Sequence, residues 1–433
     1  MSILRRNVLV LALLLIVGAF GFVAVACDDD EDGGDGEPTA TEPADGENGD
    51  GGGDLSDIPE DTTGVTDTEV ILGTHQPLTG IAAIYGNAIA PSLKAYFDYI
   101  NETEGGVNGR EITLLIEDDG YEPPQTNSVV RKLVEQDGIF ALLAGLGTAQ
   151  HTAVFDYLKD NKIPDLFTST GATLFTDPIS RTTFGYNPNY IQEGTAIGQF
   201  IAENYPGAKL GLILQNDDFG GDGEKGILAG IEGSDIEVVS RQTYEAANTD
   251  LTSQVQNVLN DGATAIAMYT LPRQAGSVVS VARDQLGFDG PIVATGVVAD
   301  QLTIALMGGE TVTDVFTVAY LTPLETEGHE GVERHKEIMA EYAPDVPPSN
   351  ISIYAQSVAE LMVEVLRVAG DDLNRRSIIE AAESIRGFTC SVCLGPINLS
   401  PTDHRPIETF QYGMAENGVW VPFGELISYE STE

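Results

Sequence analysis

Positive charge is what this sequence has least of. Its 433 residues hold 21 Lys or Arg against 67 Asp or Glu, a net charge of −46. Nucleic acid is thereby excluded as a partner, because binding a polyphosphate requires cations to replace its counterions. An anionic membrane surface is excluded on the same ground. Cysteine is almost missing: Cys27, Cys390 and Cys393 are all there is. Two late thiols without a second pair do not make a zinc site, so no metal is expected. The five histidines are scattered, and His329 and His335 lack the i, i+4 spacing of a helical metal pair. No phosphate-loop lysine signature and no Gly-x-Ser-x-Gly nucleophile elbow occur. "AGLGTAQ" has a glycine pair, but Gln150 stands where a dinucleotide fingerprint needs its third glycine. No cofactor is expected, and nothing argues for an enzyme, although catalytic groups can meet from distant loops.

What is present begins with an export signal. Arg5 and Arg6 precede an uncharged, leucine- and valine-rich run from Val8 to Ala26, with small residues just before Cys27. Basic, apolar, small and cleaved is the layout of a secretory leader, although the run approaches the length of a membrane span. "AVAC" resembles a bacterial lipobox, which implies that residues 1–27 are a lipoprotein signal and that Cys27 carries the lipid. A plain signal peptide is the alternative. "RRNVL" is also a weak twin-arginine match.

Residues 28–61 hold fifteen acids and no Lys or Arg. Such a segment buries too little apolar area to offset its ordering entropy, and its charges repel. It reads as a disordered tether over 28–63. A Ca²⁺-binding tail is the alternative, but the acids lack the spacing of a Ca²⁺ loop. Setting aside Arg5, Arg6 and the fifteen tether acids leaves −33 on the remainder.

That remainder is too long for one ordinary core and fits two lobes. "TEVILGTHQ", "REITLLIEDD", "IFALLAGLG" and "IPDLFTSTG" read as buried strands. Helical patterns over "YGNAIAPSLKAYFDYINE", "PPQTNSVVRKLVEQDG" and "TAQHTAVFDYLKDNK" alternate with them. Apolar strands alternating with helices mean a parallel sheet covered on both faces. The pattern restarts at "RTTFGYNPN". A long helix is expected over 351–369 with Gly370 as its stop, and the C-terminal stretch from "GPINLS" reads as strand and hairpin. In an oxidising compartment, "CSVC" at 390–393 reads as a local disulfide rather than a metal or redox motif.

The loops after two strands, "LGTAQ" and "TSTGAT", are rich in glycine and hydroxyl residues. Backbone N–H groups and hydroxyls at a helix start hold an anion without a cation, and ordinary helix capping uses the same residues. "QNDDFGGDGE" reads as a solvated acidic loop.

Five stretches, "PLTGIAAIYG", "GGVNGREI", "IPDLFTSTGAT", "QNDDFG" and "SPTDHRPI", occur in an order that resembles the branched-chain amino-acid type of ABC-transporter substrate-binding protein, the leucine/isoleucine/valine-binding family. The resemblance covers nearly all of residues 66–430. It implies an α/β type I periplasmic binding fold, two Rossmann-like lobes joined by three crossings near "TTFGYNP", "VAYLTP" and "GPINLS". Lobe 1 would comprise 64–186 and 321–394, and lobe 2 187–320 and 395–433. It implies ligand contacts at Tyr85, Thr148, Ser169, Gly171, Phe219, Leu271 and Thr295. It further implies a monomer that binds a small carboxylate solute outside the cytoplasm and hands it to an ABC permease and its ATPase. A ligand-sensing receptor subunit and an exported hydrolase are the alternatives. One departure stands out. Amino-acid binders of the family place a carboxylate at the position of Thr295, to hold the ligand ammonium, and here only Asp300 follows nearby. A ligand lacking an α-ammonium is therefore expected to bind at least as well as its amino-acid analogue, unless Asp217 or Asp218 supplies the charge.

Overall fold

The structure, a computed structural model, describes residues 55–429. Cys27 and most of the acidic segment lie outside the described residues. The end of that segment is folded, against the expectation of a tether reaching residue 63. Leu55 and Ile58, its two large apolar residues, are buried in the first lobe's core. Its acids meet cations there: Asp57 lies 2.8 Å from Lys162, Glu60 2.6 Å from Arg376 and Asp61 3.0 Å from Arg375. Two apolar anchors and three ion pairs are enough to order a short acidic strap.

The first lobe is built from β1 (Glu69–Gln76), α1 (Ala83–Glu104), β2 (Glu111–Asp118), α2 (Pro123–Glu135), β3 (Ala141–Leu143), α3 (Thr148–Asp160), β4 (Asp165–Thr168) and β5 (Thr183–Gly185). Its sheet is parallel throughout, in the order β2-β1-β3-β4-β5. β3 and β4 are wholly buried, because helices cover both faces.

The chain then crosses to the second lobe: α4 (Tyr190–Asn204), β6 (Lys209–Gln215), α5 (Asp218–Gly230), β7 (Glu237–Tyr244), α6 (Thr252–Asn260), β8 (Ala265–Tyr269), α7 (Pro272–Ser280), β9 (Ile292–Ala294), α8 (Gln301–Met307) and β10 (Val315–Ala319). α4 and α5 pack at backbone contact. A Cβ on Gly226 would meet the Ile191 carbonyl at 2.3 Å, and one on Gly230 the Thr195 carbonyl at 2.3 Å.

After β10 the chain returns to lobe 1. There α9 (Glu330–Tyr342), α10 (Asn350–Ala369) and α11 (Arg375–Glu383) pack, α9 and α10 against α1. α10 stops at Gly370, at positive φ, as its sequence suggests, and begins with Ser349 in a capping box. β11 (Thr409–Glu416) and β12 (Val419–Ser428) then close the second sheet as an antiparallel hairpin, giving the order β12-β11-β10-β9-β8-β6-β7.

The third crossing differs from expectation. "GPINLS" does not leave lobe 1, since Ile397, Leu399 and Ile407 sit in that lobe's core. The His404 carbonyl accepts the Gly185 N–H at 3.0 Å, and the His404 ring stacks on Phe184. Residues 395–407 therefore extend the first lobe, and the crossing falls just before β11. Apolar side chains at 397, 399 and 407 decide this, since moving them across would empty the core beneath β5. Cys390 and Cys393 are joined by a disulfide with Cα atoms 5.1 Å apart.

Candidate functional site

Where the carboxyl ends of the first-lobe strands face the second lobe, a cavity of about 980 Å³, its open mouth included, lies between them. Among the described residues no lysine, arginine or histidine lines it.

The first-lobe wall is polar at one end. Gly147, at positive φ, starts α3, so the N–H groups of its first turn are directed into the space beside Thr148. The Thr148 hydroxyl lies 2.7 Å from that of Thr170. Ser169 Oγ donates to the Ala144 carbonyl at 3.1 Å and accepts from Tyr354 Oη at 2.7 Å. Tyr354 Oη also lies 2.9 Å from Asn187 Oδ1. A helix start, two hydroxyl loops, a tyrosine and an asparagine thus converge without any cation. Such an arrangement has the chemistry to hold one carboxylate or a comparable acceptor group.

The second-lobe wall is largely apolar. Phe219, in the first turn of α5, sets its ring edge-on to Tyr190 and Tyr269, with centroids 4.9 and 5.3 Å away. Leu271, Val297 and Trp420 continue the surface. Tyr85 from α1 reaches across and donates to the Val297 carbonyl at 2.7 Å. Burial pushes the phenols of Tyr85, Tyr121, Tyr190 and Tyr354 well above their ordinary range, so all four are neutral.

Of the residues expected from sequence, Tyr85, Thr148, Ser169, Phe219 and Leu271 line the cavity together. Gly171 and Thr295 do not. Gly171 packs beneath the first crossing, where a Cβ would meet the Pro188 carbonyl at 1.9 Å and its own carbonyl accepts the Tyr190 N–H. Thr295 is fully buried, its hydroxyl turned to the Val297 N–H and to Glu193. Asp217 and Asp218 are not at the wall either, and Asp217 caps α5.

Asp300, which follows Thr295 closely in the sequence, caps α8 and lines the cavity. It accepts from Leu302 N at 2.9 Å in its own lobe and from Ile351 N at 3.2 Å in the other. Two helix N-termini thus share one acid across the lobes, and Asn350 adds a 3.1 Å bond to the Ala299 carbonyl. Burial holds the Asp300 carboxyl above the usual range. Behind Gly296, Glu193 accepts the Gly296 N–H at 3.1 Å, and burial pushes its carboxyl up to about 7.

Sequence reasoning missed Tyr121, Asn187, Tyr190, Tyr320, Tyr354 and Trp420 on the wall. Tyr354 falls between the apolar positions of its helix and reads as ordinary packing. Asn187 and Tyr320 lie in the crossings, whose course no periodicity reports. Among the described residues no group of His, Cys, Asp or Glu is placed to hold a metal ion.

The periplasmic binding protein family matches residues 69–418. A Leu/Ile/Val-binding protein homolog 1 from Brucella abortus is 23% identical over 311 residues, 70% of this chain and 80% of that protein. A branched chain amino acid ABC transporter protein from Thermus thermophilus with bound valine superposes with a TM-score of 0.75 at 19% identity, covering 84% of this chain and 97% of that one. A fatty acid ABC transporter substrate-binding protein from Thermomonospora curvata gives 0.76 at 22%, covering 87% and 96%. At these identities the structural likeness speaks for the fold.

Proposed function

This chain belongs to the periplasmic binding protein family, a family of binding proteins rather than enzymes, and on that premise we propose that it is the exported solute-binding component of an ABC importer. It captures one small carboxylate-bearing solute between its lobes and presents it to a membrane permease and its ATPase. The observation that carries the reading is the two-sided cavity, with a cation-free polar corner on lobe 1 and an apolar aromatic wall on lobe 2. The corner takes the carboxylate on the α3 start and on the Ser169 hydroxyl, whose hydrogen turns from the Ala144 carbonyl to the ligand, and Tyr85, Phe219 and Leu271 cover the solute's apolar body. Relatives named for branched-chain amino acids and for a fatty acid agree in that chemistry, a carboxylate on an apolar body.

An ammonium would have only Asp300 at the wall, and that acid already accepts from two helix starts. We therefore place organic acids at least level with amino acids as ligands. Calorimetry on leucine against 4-methylpentanoate, and phenylalanine against 3-phenylpropanoate, tests this. Micromolar binding of leucine with none of its deaminated partner restores the amino-acid reading. Absence of binding to any of the four overturns the carboxylate site. The anchor belongs to the same proposal: Cys27 carries the lipid, and Cys27→Ser should release the processed protein from the membrane fraction. Retention equal to the parent's after signal cleavage would sink it.

A further inference from the structure

Directly beneath the polar corner lies a buried chain of four ionisable side chains that binding as described above does not use. His75 Nδ1 is 2.8 Å from Asp119 Oδ2, His75 Nε2 is 3.3 Å from His151 Nδ1, and His151 Nε2 is 2.8 Å from Asp165 Oδ2. All four residues are fully buried. We infer that this Asp119–His75–His151–Asp165 chain carries one shared proton beyond the two of neutral rings, and that this proton positions the anion-holding loop Gly145–Thr148.

Three contacts need three hydrogens, and two neutral imidazoles supply two. If those two point to the carboxylates, the facing nitrogens of His75 and His151 meet as bare lone pairs, both buried and unsatisfied. A third proton completes the row, held by an imidazolium or by Asp165. Asp119 is committed as an acceptor, since it also takes the Thr126 hydroxyl at 2.9 Å and the Tyr121 N–H at 3.0 Å. Asp165 Oδ1 has no partner among the described residues, which makes the Asp165 end the one with room for a proton.

Burial holds the His75 imidazole below its ordinary range, and the carboxylates of Asp119 and Asp165 act against that to favour the extra proton, while His151 opposes it. α2 contributes the Thr126 hydroxyl, and the 173–175 turn the Phe175 ring, edge-on to His151. Asp118 spends its carboxylate on Leu78, Thr79 and Gly120.

The loop rests on this row. A Cβ on Gly145 would meet His75 Nε2 at 2.4 Å and His151 Nδ1 at 2.9 Å, so bare backbone covers the shared contact. The His75 carbonyl accepts the Leu146 N–H, and His151 lies one turn into the helix that Thr148 begins. Loss of the proton pushes the rings apart under the loop and adds buried negative charge below the anion corner. An arriving carboxylate therefore favours the protonated row, and affinity falls as pH rises through its midpoint.

The test starts with the full-length, ligand-free protein labelled with ¹⁵N. At low pH a proton is expected on the His75 Nε2–His151 Nδ1 contact. It should leave as pH rises, with the amides of Gly145–Thr148 shifting at the same midpoint. Asp165→Asn is the decisive variant: its Nδ2 donates to His151 Nε2, all three contacts close with neutral rings, and the titration should vanish while the loop keeps its low-pH positions. Both facing nitrogens bare from pH 5 to 9, loop amides indifferent to the rings, or an Asp165→Asn protein that titrates like its parent would each overturn the inference. Its ligand-facing half rests on the carboxylate site proposed above and is read separately with 4-methylpentanoate. Affinity should fall by at most about tenfold per pH unit, the limit for one linked proton, and binding should take up a proton in the parent but not in Asp165→Asn. Failure of that acid to bind at all would count against the carboxylate reading alone, because the ring and loop titrations need no ligand.

Discussion

The two walls of the cavity are made by different physics. On lobe 1 the polar end is hydroxyls and a helix start, with buried histidines behind them. On lobe 2 it is rings and aliphatic side chains, with a carboxyl held out of sight behind Gly296. The polar wall fixes where a charged end sits, because each donor there has a direction. The apolar wall has no such demand and tolerates any body that fills it. Selectivity for the head group should therefore be sensitive to lobe 1 and selectivity for the tail to lobe 2.

The largest test of that contrast targets the exception on lobe 2. Glu193 holds its proton up to about pH 7 in the fold, against an ordinary value near 4.3 when unfolded. The folded state thus binds the proton more tightly. Its contribution to stability is complete below the unfolded value and is lost as pH rises through 7, an effect on the order of 3 kcal/mol. Glu193→Gln stays neutral and should lack this loss. Urea unfolding at pH 5 and pH 8 reads it, and an identical pH dependence in parent and variant would contradict the burial argument.

Next in size is Ser169→Ala on the polar wall. A hydrogen bond to a charged group contributes about 1.5–3 kcal/mol, so a carboxylate ligand should bind roughly tenfold or more weakly. Leucine and 4-methylpentanoate should suffer alike, because both present the same head group; unchanged Kd for both would remove Ser169 from the site. Thr148→Val should act in the same direction.

Tyr85→Phe is smaller. It deletes one neutral bond across the lobes, the 2.7 Å contact to the Val297 carbonyl, worth about 0.5–1.5 kcal/mol. Dissociation should speed up by less than about tenfold, with little change in association. A faster association instead would show that the bond resists opening rather than holding the closed form. The smallest concerns chemistry away from both walls. Alkylation and mass spectrometry of the exported protein should find no free thiol at Cys390 or Cys393, and two modified cysteines would refute the disulfide.

Much of this was legible in the chain, for identifiable reasons. The strands before residue 185 are short apolar runs bounded by glycine and acid, and the helix expected over 351–369 carries its own stop signal at Gly370. Those are local features, and local sequence reports them. The loops that carry Thr148 and Ser169 were readable because hydroxyls after a strand are local too, while the two residues themselves came with the family resemblance. The crossings were not. Residues 395–407 look like the start of the final hairpin, and only the placement of Ile397, Leu399 and Ile407 in the first core assigns them.

By itself, then, the sequence determined a two-lobed α/β chain, the acid-rich charge that turns it from polyanions, and the hydroxyl- and glycine-rich loops that form the cavity's polar corner. Tertiary structure alone decided who else meets that corner. Tyr354 reaches Ser169 from a helix 185 residues later, Asp300 joins two helix starts from opposite lobes, and His75 finds His151 across 76 residues. Such contacts join segments remote in the chain, and the closure entropy they overcome is repaid by the whole core, so no local pattern announces them.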